Sequence, residues 1–164
     1  MNRSDFSFSE SRGVKFLSAA LAVMLLWTTN VVGRGMEPHI QRGDFPGKGL
    51  WALPGGFLEQ RERLFQGAMR ELVEETRLAV LASSLADALV DVKVFDHPDR
   101  SLRGRTITHA HFFDLQTEHL PDVEADDDAA QARWVPIGQL AGMEDRFFDD
   151  HFHILNQFLG LTEN

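Results

Sequence analysis

The sequence contains no cysteine, which excludes disulfides, thiol catalysis and cysteine-ligated zinc and is compatible with either a reducing or an oxidising compartment. Basic residues are in the minority: 16 Lys and Arg against 25 Asp and Glu give a formal charge of -9. A nucleic-acid footprint needs clustered cations to neutralise phosphates, so no nucleic-acid partner is expected. A small anionic substrate fits this balance if metal ions supply positive charge. Internal repeats, low-complexity tracts and linkers are also missing, and 164 residues with 43% hydrophobic content suit one domain around a single core.

Long uncharged stretches are missing too, with one exception. From Phe16 to Gly33 there is no charged residue, and the run Ala19 to Trp27 is apolar throughout. With Arg3, Arg12 and Lys15 ahead of it, the stretch reads either as a signal peptide or anchor, or as a buried strand or helix. Thr28, Thr29 and Asn30 dilute it and no clear small-residue cleavage site follows, which favours the buried element. Residues 1–35 are therefore set apart as an atypical N-terminal segment, supplying a first strand or a hydrophobic helix, and 36–164 as the main domain. A cytoplasmic protein is expected, with the anchor as the alternative.

What is present then becomes informative. Pro38, Gly43, Pro46, Gly47 and Gly49 punctuate a loop that leads into a short strand, Leu50 to Leu53, and a turn at Pro54-Gly55-Gly56. Phe65, Ala68, Met69, Leu72 and Val73 recur at three and four, the period of an amphipathic helix over Glu62 to Thr76. Val90, Val92 and Val94 alternate with Asp91, Lys93 and Phe95, and Thr106 to Leu115 is rich in β-branched and aromatic residues, so both segments predict strands. A polar loop, His97 to Arg105, joins them and on its own reads as a solvated hairpin turn. An acidic run, Glu124 to Asp128, precedes a strand at Ala132 to Val135, and Phe148, Phe152, Leu155, Phe158 and Leu159 lie at helical spacing. Strands interleaved with a central and a terminal helix imply a mixed α/β sandwich. In the second strand position, Pro38 is expected to interrupt the ladder, because it has no N–H to give.

On the central helix Glu71, Glu74 and Glu75 stand at i, i+3 and i+4, so three carboxylates share one face. Like charges so placed cost the helix roughly 0.2 to 0.5 kcal/mol per pair, and a counter-cation is the natural account. Hard oxygens favour Mg2+, with Mn2+ as the alternative. A bare E-x-x-E-E is more often a solvated face; its context here is wider. Gly56, five residues, Glu62, seven residues, Arg70-Glu71-Leu72, one residue, then Glu74-Glu75-Thr76-Arg77-Leu78 matches eight of the nine defined positions of G-x5-E-x7-R-E-U-x-E-E-x-G-U, where U is bulky and aliphatic. This stretch resembles the box of the Nudix hydrolases.

The resemblance implies the Nudix fold, a mixed β-sheet in an α/β/α sandwich, and Mg2+-dependent cleavage of a nucleoside diphosphate derivative. It implies Glu71, Glu74 and Glu75 as metal ligands together with Gly55, and Glu62, Arg70, Glu74 and Glu75 as the catalytic group, with Arg70 orienting the glutamates. The departure is Arg77, where the family has glycine; the helix end is expected to be shaped differently, at a cost in stability. Outside the box, Gly47 to Phe57, Val94 to Ala110 and Phe147 to Ile154 are similar to the Nudix domains joined to nicotinamide-mononucleotide adenylyltransferases, and to those of Nudix-related regulators of NAD metabolism. That similarity implies ADP-ribose as the substrate, split to AMP and ribose 5-phosphate, with NADH or an oxidised deoxynucleoside triphosphate as alternatives. It suggests Arg100, Arg103 and Arg105 on the substrate's phosphates, Phe57 or Phe95 on its adenine, and one of Glu124, Asp126 or Asp127 as the general base. The chain has no H-x-G-H nucleotidyltransferase motif, so only the hydrolase activity is expected to carry over. Retention of all four box glutamates favours catalysis over pure ADP-ribose sensing, and relatives of this branch suggest a homodimer. His109, His111, His151 and His153 lack a third ligand at metal spacing and are expected to be packing residues.

Overall fold

The computed structural model describes residues 18–28, 35–116, 120–125 and 129–162. In chain order the strands are β1 (Ser18–Thr28), β2 (Gly35–Arg42), β3 (Trp51–Ala52), β4 (Leu89–Phe95), β5 (Thr106–Asp114) and β6 (Ala129–Pro136). The helices are α1 (Leu64–Thr76), α2 (Ala82–Asp87), α3 (Ile137–Leu140) and α4 (His151–Leu159), with a 3-10 turn at Glu144–Arg146.

Within the uncharged N-terminal stretch, β1 enters the middle of the sheet, whose order is β3-β2-β1-β5-β4, with β6 also pairing β2. β1 runs parallel to β5 from Ser18 opposite Thr106 to Leu26 opposite Asp114. Its end also pairs antiparallel with β2, Trp27 opposite Met36. The other pairings are antiparallel, so the sheet is mixed. Among the described residues no helix is long and apolar enough to cross a membrane.

Pro38 does not break its strand. β2 runs through it and pairs it with Trp134 of β6. On its opposite edge β2 pairs with β1 only as far as Met36 and with β3 only from Ile40. The proline thus falls in a gap of one ladder, a place where a residue without an N–H is tolerated in a sheet.

Two apolar layers cover the two faces. Ala68 and Leu72 of α1, Leu85 of α2 and Phe113 of β5 form one layer. Leu140, Phe152, Ile154 and Leu155 pack with Trp51, Ala110 and Val135 in the other. Along β5, Ala110 and Phe112 serve the second layer and Phe113 the first, as the alternation of a strand requires. Leu72 and Leu155 are completely buried, each stabilising the fold by about 1.5 to 3 kcal/mol relative to exposure.

Helix α1 starts two residues later than its apolar period suggests, with the Arg63 N–H donating to Gln66 Oε1 at 3.2 Å. Its end corrects the expectation of a different shape. Arg77 takes the left-handed conformation that a glycine would take, with φ of 47°, and its N–H donates to the Val73 carbonyl at 2.8 Å. The geometry of the helix end is retained, and the strain falls on the arginine.

Candidate active site

β3 delivers the chain into the turn Pro54-Gly55-Gly56, which lies against the charged face of α1. The Gly55 N–H donates to Glu75 Oε2 at 2.7 Å, binding the turn to the last coil of the helix. At Gly56 the approach is closer still, since a Cβ there would stand 2.5 Å from Glu71 Oε1. A side chain at this position would push the Glu71 carboxylate aside, and glycine leaves it in place.

The counter-cation that three glutamates demand is partly internal. Arg70 donates through Nε and Nη2 to the two oxygens of Glu62, both at 2.9 Å. Its Nη1 reaches Glu71 Oε1 at 2.8 Å and Glu74 Oε2 at 2.9 Å, and Nη2 also reaches the Phe57 carbonyl at 3.3 Å. Arg70 is held more firmly protonated than an ordinary arginine, chiefly by Glu62, and the same hydrogen bond holds the Glu62 carboxyl below the usual carboxylate range. Burial pushes the Glu71 carboxyl up, against the pull of Arg70. Glu71 is therefore a carboxylate whose charge burial disfavours and Arg70 only partly restores.

Glu71 and Glu75 open into a cavity of about 370 Å3 that Gly55, Gly56, Phe57, Arg42 and Arg103 also line. Acidic and basic groups thus face one another across it. The Arg103 guanidinium carbon lies 5.1 Å from the centre of the Phe57 ring and 5.6 Å from that of Phe148, and Arg42 stands 4.3 Å from the Phe148 ring. Burial, and then the neighbouring charge of Arg42, lower the pKa of Arg103.

Several residues singled out in the sequence meet here and others do not. Glu71, Glu75, Gly55, Phe57 and Arg103 share the cavity. Glu74 is half exposed and turned to Arg70, and among the described residues no three carboxylates or imidazoles gather as a metal-binding group. Glu71 and Glu75 nonetheless offer hard oxygens beside a backbone that no side chain obstructs, a donor set whose chemistry fits Mg2+ or Mn2+. Arg100 is taken up by Asp150, at 2.8 and 2.7 Å, and by Thr108. Arg105 donates to the Asp96 carbonyl. Phe95 packs against His153 and Phe158 beneath α4, so its ring belongs to the core. The Glu124 N–H donates to the Thr76 carbonyl at 2.8 Å, and its exposed carboxylate lies 3.7 Å from Arg77. Asp126 and Asp127 lie outside the described residues.

Sequence reasoning missed Arg42, which closes the mixed polar and apolar strand β2, and the grouping of Phe148 with two arginines. The periodicity of α4 marked Phe148 only as core, and buried it is. His151, read as a packing residue, is partly buried and accepts the Leu53 N–H at 3.0 Å. Burial and the surrounding arginines push its pKa down to about 3.

Comparison with known proteins bears on this arrangement. Residues 37–158 match the family profile of the NUDIX domain. An ADP-ribose pyrophosphatase from Methanocaldococcus jannaschii is 32% identical over 120 residues, which are 73% of this chain and 63% of that protein. The ADPR responsive transcriptional repressor NtrR of Acinetobacter baylyi is 29% identical over 134 residues, 76% of this chain and 47% of that protein. A bifunctional NMN adenylyltransferase/ADP ribose pyrophosphatase from Francisella tularensis superposes with a TM-score of 0.82 at 38% identity, over 91% of this chain and 42% of that one. That protein has also been solved with AMP and a manganese ion. The chain spans less than two thirds of the length of these relatives.

Proposed function

This chain belongs to the NUDIX family, and we propose that it is a divalent-metal-dependent pyrophosphohydrolase that cleaves ADP-ribose to AMP and ribose 5-phosphate. Its α/β fold, a mixed sheet with helices on both faces, is the fold of that family. The observation that carries the proposal is the single cavity in which Glu71 and Glu75 face Arg42 and Arg103. Carboxylates alone would suit a cation and arginines alone an anion; together they suit a metal-bound diphosphate.

Glu71 and Glu75, with the backbone of Gly55, would hold Mg2+ or Mn2+, which when bound activates water and neutralises charge on the phosphoryl oxygens. Arg70 fixes Glu62, Glu71 and Glu74 in direction through its hydrogen bonds, so little reorganisation is needed when a ligand enters. Arg103 and Arg42 supply donors to the phosphates, and guanidinium groups suit this because their planar fork matches two oxygens at once. Phe57, half exposed at the rim, offers a flat apolar face for a base. The hydrogen bond from the Glu124 N–H to the Thr76 carbonyl sets Glu124 at the end of α1 that bears Glu75, and this supports Glu124 among the candidates Glu124, Asp126 and Asp127 for the general base.

A second reading, a module that binds ADP-ribose without turning it over, is favoured by the likeness to the ADPR responsive repressor. The retained Glu62, Glu71, Glu74 and Glu75 favour catalysis. The test is release of AMP from ADP-ribose with Mg2+, with Mn2+ and with a chelator, using NADH and 8-oxo-dGTP as competitors. Metal-dependent AMP release that the competitors leave intact is the expected result. Tight ADP-ribose binding without turnover would replace the hydrolase by the sensor, and preference for a competitor would change the substrate.

A further inference from the structure

The loop from His97 to Arg105 carries three arginines of equal promise in sequence, yet they take up separate tasks in the fold. Arg100, whose side chain is only 5% exposed, gives Nε and Nη2 to Asp150 at 2.8 and 2.7 Å and Nη1 to Thr108 at 2.5 Å. Arg105 is turned back onto the loop's own backbone at Asp96. Arg103 alone of the three lines the cavity with Glu71 and Glu75, and among the described residues it has no carboxylate at ion-pair distance.

What sorts them is the segment just ahead of α4. Asp149 accepts the Ser101 hydroxyl at 2.7 Å, and the Ser101 oxygen in turn accepts the Arg103 N–H at 3.2 Å. A carboxylate, a hydroxyl and an amide thus run in series from the segment ahead of α4 to the backbone of Arg103. Asp149 holds a φ of 47°, a left-handed conformation that a residue other than glycine keeps where its surroundings over-determine it. The adjoining Phe148 forms the platform beside which the Arg103 guanidinium rests. One short segment therefore fixes the arginine at its backbone and at its head.

We propose that Asp149, acting through Ser101, is a positioning residue that holds Arg103 in the cavity opposite Glu71 and Glu75, ready for the diphosphate of a ligand. The inference rests on the reading that this cavity takes a nucleoside diphosphate derivative. Its physical content is preorganisation: an arginine on a free loop must lose conformational freedom when it binds, and one already seated does not. Removing the latch should therefore weaken ligand binding more than it slows the chemical step.

The experiment is a double-mutant cycle between Ser101→Ala and Arg103→Ala, with Asp149→Asn as a second probe of the latch. KM and kcat are measured for ADP-ribose, and the Kd of inorganic pyrophosphate is measured with Mg2+. Ser101→Ala is expected to raise KM and the pyrophosphate Kd by about 3- to 10-fold, the effect of one lost hydrogen bond, with kcat nearly unchanged. In the Arg103→Ala background it should have no further effect, and Ser101→Thr should restore the affinity. Equal losses in both backgrounds would mean that the latch serves only the fold, and would overturn the proposal. So would a wild type that does not bind pyrophosphate, whichever nucleotide it turns over. Absent ADP-ribose turnover with the pyrophosphate coupling intact would overturn the substrate reading alone.

Discussion

The Gly55 N–H and the Glu75 carboxylate meet at 2.7 Å across 20 positions of sequence. That contact fastens the glycine turn to the acidic helix, and next to it Gly56 passes Glu71 so closely that an added Cβ would lie 2.5 Å from a carboxylate oxygen. Gly56→Ala should therefore spare the fold and damage the site. The atom displaced is the far end of a flexible side chain, so stability falls by about 1 kcal/mol. A displaced carboxylate at the reacting centre costs about 100-fold in turnover. Thermal unfolding and the rate of AMP release, measured together, separate the two effects.

Gly47 makes the opposite demand. It has a φ of 81°, and an added Cβ would fall 2.2 Å from the Phe148 ring, which is 2% exposed and cannot easily give way. Gly47→Ala should destabilise the protein by about 2 to 4 kcal/mol, combining backbone strain with overpacking. Urea unfolding reads this directly, and a shift below about 1 kcal/mol would show that the ring moves freely.

At the end of α1, Arg77 holds a left-handed conformation with φ of 47°. Its contact with Glu124 is long, at 3.7 Å, and solvent-exposed, so it offsets little of the strain. Arg77→Gly should raise stability by about 0.5 to 1 kcal/mol, the relief of strain less the entropy that glycine adds to the unfolded chain. Chemical denaturation checks it, and turnover should be unchanged.

Two histidines shielded from solvent at their rings, His39 and His151, bear on the acid limit of the fold. Burial, first among the causes, lowers both His39 and His151 from 6.5 to about 3. Below 6.5 the unfolded chain takes up protons that the folded one refuses, so stability is present above that pH and is lost as pH falls toward 3. Each histidine should contribute a slope approaching about 1.4 kcal/mol per pH unit in that window. Unfolding free energies measured from pH 7.5 down to 5 should fall, and His151→Gln should flatten the decline by roughly half. A level profile would contradict the burial argument.

The acidic helix, its glycine turn, the alternating strands and the terminal helix were legible because each rests on local periodicity or on a dense motif. The short helices α2 and α3 were not, since six and four residues are too few to display a helical period. Pro38 misled because the sequence shows its missing N–H but not the gap in the neighbouring ladder that accommodates it. Within the site the glutamates announced a need for positive charge; that Arg70 supplies part of it by reaching Glu62 eight positions away depends on how the turn folds back. The arginine loop shows the limit most clearly. Arg100 and Arg103 are indistinguishable in sequence, and they are told apart by Asp150 and Asp149, some 50 residues downstream.

The central claim is that Glu75 and its neighbours hold the metal at which a diphosphate is cleaved. The most direct measurement is AMP release from ADP-ribose with Mg2+ by the wild type and by Glu75→Gln, each checked for thermal stability. The account predicts turnover in the wild type, a loss of about 100-fold or more in the variant, and closely similar unfolding temperatures. Equal rates in the two proteins would contradict it.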